Sequence, residues 1–211
     1  MSNLGQIRAN VAANLNDAGL TFFDETQLND AINDAYQEIA SKCFNIVKSV
    51  VVHQQTTPYY DFKNNAGVTD YLGTIAIFNQ DTNYWLRDDL SLRDYDRLRR
   101  DWEQWAGTPQ FWTPHSLQYI ALAPNLGTVT SGNLLTLWYW ATAPQLVNDA
   151  DVPLIASDMQ TMLEDYATAD RLLDAEEITK AADYITRFER DKQKYKIRCL
   201  EICKADLLLR I

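Results

Sequence analysis

The chain has little of what marks secreted, fibrous, membrane-spanning or metal-bearing proteins. Its 211 residues hold three cysteines, an odd number that no disulfide framework uses up, so folding in a reducing cytoplasm is expected. Seven glycines and six prolines are too few for a linker-rich or fibrous protein. No apolar run approaches the ~18 residues of a bilayer span. The opening Met1-Ser2-Asn3-Leu4-Gly5-Gln6 lacks a basic region followed by an apolar stretch, so no signal peptide is expected. Positive charge is the scarcer sign: 19 Lys and Arg against 29 Asp and Glu leave −10 at pH 7. Such a balance argues against wrapping nucleic acid on the outside, because phosphate binding needs net positive surface. It leaves open a channel through which nucleic acid slides without sticking.

What is present suffices for a core. Apolar residues make up 46% of the chain, and 18 Tyr and Phe with six Trp exclude intrinsic disorder. The ends read as helices and the middle as strands. Leu4, Ile7, Val11 and Leu15 recur at helical spacing, with Gly19 as the expected stop. Asp24 and Gln27 form a capping box that opens a helix with Leu28, Ile32, Ala35, Ile39 and Cys43 on one face. Its opposite face carries Asn29, Asp30, Asn33, Asp34, Gln37 and Glu38.

Five to six short strands follow. They are Ile46 to Val52, Tyr59 to Phe62, Tyr71 to Phe78 in a hairpin with Tyr84-Trp85-Leu86, Leu117 to Leu122, and Leu134 to Ala141. Their short connections make them mostly antiparallel. Between them Ser91 and Asp94 cap a helix carrying Leu92, Tyr95, Leu98 and Trp102, broken by Gly107-Thr108-Pro109. Helices resume after Val152-Pro153. Ser157 with Gln160 opens one that buries Met162, Leu163, Tyr166, Ala169 and Leu173. Asp174 with Glu177 opens a long last helix on the stripe Ile178, Ala181, Ile185, Phe188, Tyr195, Cys199 and Ile202, interrupted by Lys192. At ~1.5 Å per residue, thirty residues reach roughly 45 Å, more than a domain of this size needs internally. The fold class is α+β: residues 1–44 and 152–211 form a helical domain or bundle, and 45–151 an inserted, antiparallel β-rich domain.

Chemistry finds little support. His53 and His115 have no Cys or carboxylate at ligand spacing and read as surface or structural residues, and Cys199 with Cys203 lacks a third ligand and reads as core. Neither a phosphate loop nor a hydrolase signature occurs. We therefore assign no catalytic, cofactor or metal residues. Arg97, Arg99 and Arg100 near Trp102 and Trp105 could bind phosphates and stack bases. Asp94, Asp96 and Asp101 offset them, which favours a solvated face or a subunit contact. Trp138 and Trp140 share one strand face. A subunit contact or core ranks first there, and a sugar-stacking platform second. Chain ends are usually polar, yet this one closes on Leu207-Leu208-Leu209-Arg210-Ile211. Three consecutive Leu cannot share one helical side, so partner docking is favoured over folding back.

Taken in order, these segments resemble the head-to-tail adaptor (connector, neck) proteins of tailed bacteriophages, especially short-tailed ones. The matching pieces are residues 28–35 (Leu28-Asn29-Asp30-Ala31-Ile32-Asn33-Asp34-Ala35), the turn Gly107-Thr108-Pro109-Gln110-Phe111-Trp112, and Ile120-Ala121-Leu122-Ala123-Pro124. The strand Leu135-Thr136-Leu137-Trp138-Tyr139-Trp140 then runs into Ala143-Pro144, Leu146, Asp151-Val152-Pro153 and the closing helices. The resemblance implies a structural virion protein, made in the host cytoplasm and located in the neck. It implies a homo-oligomeric ring of twelve copies between the portal protein and a tail or nozzle protein, with genomic DNA passing through unbound. On that reading Leu207, Leu208, Leu209, Arg210 and Ile211 are candidate portal contacts, and Arg97, Arg99, Arg100, Trp138 and Trp140 candidate subunit contacts. Two readings compete: a carbohydrate- or receptor-binding tail module using Trp138 and Trp140, and a wall-degrading enzyme using paired carboxylates.

Overall fold

The computed structural model describes residues 2–43, 46–54, 56–61, 67–116, 119–125 and 133–208, with side chains as far as 201. It is an α+β protein. Its contacts divide it into two units, one joining Met1–Ile46 with Thr142–Ile211, the other Val47–Ala141.

The first unit is helical. Helix α1 (Leu4–Asn14) opens on an Asn3/Gln6 capping box that the sequence reading passed over. It stops at Asn16, which takes the left-handed conformation (φ 56°), and not at Gly19. A short amide side chain tolerates that conformation, so the turn closes three residues early. Helix α2 (Glu25–Cys43) has the expected Asp24/Gln27 box, with bonds of 2.8 and 3.0 Å, and buries Leu28, Ile32, Ala35, Ile39 and Cys43 completely. One member of its supposed polar face is misassigned. Asn33 is buried because its amide clamps the irregular segment after residue 142, donating to Leu146 O (3.0 Å) and accepting from Leu146 N (2.8 Å). Tyr36, one turn on, accepts from Leu154 N at 2.7 Å.

The closing helices also shift. Ser157–Met159 is a 3₁₀ turn, and α4 (Thr161–Asp174) starts after Gln160, whose side chain accepts from Ser2 N instead of capping. Leu172 is buried and Leu173 exposed, because the stripe through Leu163, Ala167 and Ala169 continues at 172, and 173 lies a further 100° round. Asp174 caps nothing; it ends α4 paired with Arg171 at 3.0 Å, and left-handed Glu176 (φ 62°) turns the chain.

Helix α5 (Ile178–Leu208) is 31 residues, about 46 Å at helical rise. Ala181, Phe188, Tyr195 and Cys199 are buried, whereas Ile178 (69% exposed) and Ile185 face solvent; the side chain of Ile202 lies outside the described residues. The packing seam is therefore a narrow near-seven-residue repeat. Lys192 sits within it, its ammonium 3.2 Å from Glu38 of α2, 2.6 Å from Glu189 and 4.8 Å over the Phe188 ring.

Among the described residues the second unit holds seven strands. One sheet has the order β1–β7–β3–β4 (Val47–His53, Leu134–Ala141, Tyr71–Asn79, Tyr84–Trp85), the other β2–β6–β5 (Tyr59–Asp61, Tyr119–Ala123, Phe111–Pro114). All strand pairings in them are antiparallel. The unforeseen strand is β5, which the sequence presents as the tail of a Gly-Pro turn. Arg87 stitches the sheets together, donating to Gln110 O (2.9 Å) and accepting from Trp112 N (2.9 Å). Helix α3 (Leu92–Leu98) has the expected Ser91/Asp94 box, but Trp102 belongs to a separate 3₁₀ turn. Its indole donates to Asp96 at 2.8 Å, and it packs with Tyr95, Ala121 and Ala123. Leu98 is exposed.

Asn33→Ala removes the partner of two buried backbone groups at Leu146, each worth about 1–3 kcal/mol when left unsatisfied. Urea unfolding is expected to show a loss of about 2–4 kcal/mol, against ~0.5 kcal/mol or less for Asp34→Ala on the exposed side of the same helix.

Candidate interaction surfaces

Alternation along β7 separates two faces. Leu135, Leu137, Tyr139 and Ala141 are buried, and Leu134, Thr136, Trp138 and Trp140 are half-buried. Directly opposed residues share a face. Trp140 therefore sits between Val47 of β1 and Gly73 of β3, and Trp138 between Ser49 and Ala76. A Cβ on Gly73 would lie 3.4 Å from Trp140 Cε3, so the indole rests on the bare backbone of that residue. The aromatic row continues outward, with Trp138 and Trp85 rings 6.4 Å apart and Trp85 and Phe78 5.1 Å apart. Val47 and Val51, 46% and 52% exposed, edge this row. The two tryptophans singled out in the sequence thus share one partly open apolar face.

The arginines form a different group. Arg97 lies in the last turn of α3, 3.8 Å from Asp94. Arg99 chelates Asp101 through Nε (2.7 Å) and Nη2 (3.2 Å), and its guanidinium lies 5.4 Å over Trp105. Arg100 is exposed. Asp101 is held below the usual carboxylate range by Arg99, so the pair is neutral as a unit at neutral pH. Sequence reasoning missed a second such contact, Arg87 paired with Asp89 and 5.4 Å over Phe111. Its signal was only the Arg-x-Asp spacing that Arg99 and Asp101 share.

At the C-terminal end, Leu207 and Leu208 are the last residues of α5 by backbone; their side chains lie outside the described residues, as do Leu209, Arg210 and Ile211 entirely. Upstream, Ile197 and Leu200 are already exposed.

A further surface surrounds the α1–α2 loop. Buried Asp17 accepts from the backbone of Thr21 (2.7 Å), Phe22 (2.9 Å) and Phe23 (3.0 Å). These donors, Phe23 first, pull its pKa below 3.8. The loop so fixed holds Phe22 83% exposed. Near the start of this loop, Asn14, Leu15, Leu172, Lys180, Tyr184 and Arg187 contribute to a cleft of about 540 Å³. Arg187 there pairs with Asp165 (3.1 Å) and lies 4.2 Å over Tyr184. An Asp in a short polar stretch before Gly is the sequence sign of such a turn.

His53 and His115 are exposed, and His115 stacks on Tyr59 at 4.6 Å. Cys43 and Cys199 are buried; burial, first, and the neighbouring Cys199 push the Cys43 thiol up to about 11, away from the reactive thiolate. Among the described residues no group of three or more His, Cys, Asp or Glu is placed to hold a metal ion. No described helix is long and apolar enough to cross a membrane.

Because the folded Asp17 carboxyl titrates below 3.8, its stabilisation is complete above that pH and is lost as pH falls through the folded value. The melting-temperature difference between wild type and Asp17→Asn is therefore expected to be positive at neutral pH and to shrink toward zero in acid. A gap independent of pH would contradict this role. The family model described as the SU10 adaptor protein matches residues 2–198. No curated protein matches the chain.

Proposed function

Because this chain belongs to the SU10 adaptor protein family, and is thereby a structural head-to-tail adaptor of a phage virion, we infer that it acts as a ring between portal and tail. Twelve copies surround the channel through which the genome leaves. The portal protein lies on one side of the ring and a tail or nozzle protein on the other. The role is mechanical, with no reaction performed.

The observation that carries this reading is the last helix. A 31-residue helix buries only Ala181, Phe188, Tyr195 and Cys199 among its described side chains, and exposed Ile197 and Leu200 lead toward an apolar tip. Unburied apolar area on a long helix is stabilised when a partner covers it, at about 25 cal/mol per Å². Helix α5 with Leu207, Leu208, Leu209, Arg210 and Ile211 is thus the portal-facing element. Contacts between copies fall to Arg97, Arg99 and Arg100 on one side and to the Trp138/Trp140 face on the other, where aromatic and Arg residues suit subunit interfaces. A formal charge of −10 per copy makes a ring whose lumen repels phosphate, so DNA passes without adhering.

Deleting residues 205–211 is expected to abolish co-sedimentation with purified portal while leaving the far-UV circular dichroism of the free protein unchanged. Undiminished portal binding by the truncated protein would remove the basis for assigning that end to the portal.

A further inference from the structure

The second unit has, among the described residues, one sheet edge that is long, exposed and regular in register, that of β1. Gln54 N donates to Asn133 O at 2.8 Å, which fixes the phase of the β1–β7 ladder. Hydrogen-bonded and non-bonded pairs alternate in an antiparallel ladder. With 54/133 bonded, Val52, Val50 and Lys48 bond to β7, and Val47, Ser49, Val51 and His53 turn their N–H and C=O groups outward. All four of these are exposed.

Natural sheets guard such edges with charge, proline or bulges. Here the guards are missing or disarmed. The sequence Val47-Lys48-Ser49-Val50-Val51-Val52-His53 has no proline and no acid. Its one lysine is tied down in its own sheet, bonded to Asp70, which also accepts from Tyr139 (3.2 Å). The β1–β7 register has no bulge, whereas β3–β7 has two irregularities. The other sheet margins are not equivalent. Tyr60 and Asp61 of β2 are buried, the chain leaving β4 is bridged to β5 through Arg87, and Tyr71–Ala76 of β3, which β4 does not reach, are half-buried on an irregular strand. No other margin offers an identical copy an edge as exposed and as regular, so the β1 edge is best matched by itself, across a two-fold axis.

We propose that the free protein pairs with a second copy of itself through antiparallel β1–β1 strand addition, centred on Val50. In that register Val47 faces His53 of the second copy and Ser49 faces Val51, so all four outward-bonding residues on each strand find partners. Four such pairs, each exchanging two N–H···O bonds, give about eight hydrogen bonds. Neither like charges nor a proline oppose one another in this register, and the Val47/Val51 margins of the two aromatic faces become continuous. An axis of this kind cannot persist within a ring whose two sides differ. The pair is therefore the form held before assembly. It covers an aggregation-prone edge and is undone when copies enter the ring. This inference does not depend on the portal assignment.

Ser49→Pro removes an outward N–H and leaves the ladder to β7 intact, whereas Val50→Pro removes an inward one and is expected to unfold the strand. Light scattering of the wild-type protein alone should give twice 24.2 kDa, and Ser49→Pro 24.2 kDa with an unchanged circular dichroism spectrum. Hydrogen exchange on the wild type provides the second readout. The amides of Ser49 and Val51 should slow as protein concentration rises, while that of Val50 stays protected throughout. A wild-type monomer, a dimer that survives Ser49→Pro, or Val51 exchange that ignores concentration overturns the proposal. Ring formation by Ser49→Pro with portal, scored separately, bears only on the adaptor reading.

Discussion

The structure turns on the pairing of β1 with β7. The chain enters its β-rich unit at Val47 and leaves it at Ala141, and the register sets Val47 against Trp140. Entry and exit are thereby held one strand apart, although the unit they bound, 47–141, is 95 residues long. The entropy of closing so long a loop is met by seven consecutive backbone pairings within the inserted unit itself. Residues before and after the insert can then pack as one helical unit, α1 and α2 against α4 and α5. Strand β7 also carries the aromatic face outward and a buried apolar face inward, so one eight-residue segment sets closure, core and surface together.

The helical unit is closed by polar anchors as much as by its apolar stripe. Asn33 and Tyr36 of α2 fasten the irregular chain at Leu146 and Leu154, and Lys192 reaches from α5 to Glu38. Burying such groups is tolerable because each finds a partner. The same groups fix which rotation of each helix is allowed, a task that Ala- and Leu-rich stripes perform poorly alone. A structural adaptor needs that definition, because helices free to rotate would not present fixed surfaces to other virion components.

Periodicity made much of this legible. The stripe of α2, both confirmed capping boxes, the β3–β4 hairpin and β7 follow from local rules that tertiary structure did not override. The misreadings share a physical cause. Asn33, Gln160 and Asp174 are polar residues whose local options, solvent or a cap, lost to partners far away in sequence or one turn back. Leu173 and Ile185 are apolar residues at the margin of a stripe, where a 3.6-residue period and a narrow seam part company. Strand β5 gains its identity from Arg87 and β6, neither of which is visible in Phe111–Pro114 itself. Of the candidate surfaces, the shared face of Trp138 and Trp140 was readable from strand alternation alone. The Asp17 loop was not, since three converging amides become apparent only in three dimensions.

That loop has a bearing on recognition. An aromatic ring on a flexible segment loses conformational freedom when a partner captures it, and the loss subtracts from affinity. Phe22 stands on backbone already immobilised by the Asp17 carboxylate, so that entropy is surrendered during folding. A macromolecule that covers the ring gains nearly the full solvation benefit of a preorganised anchor.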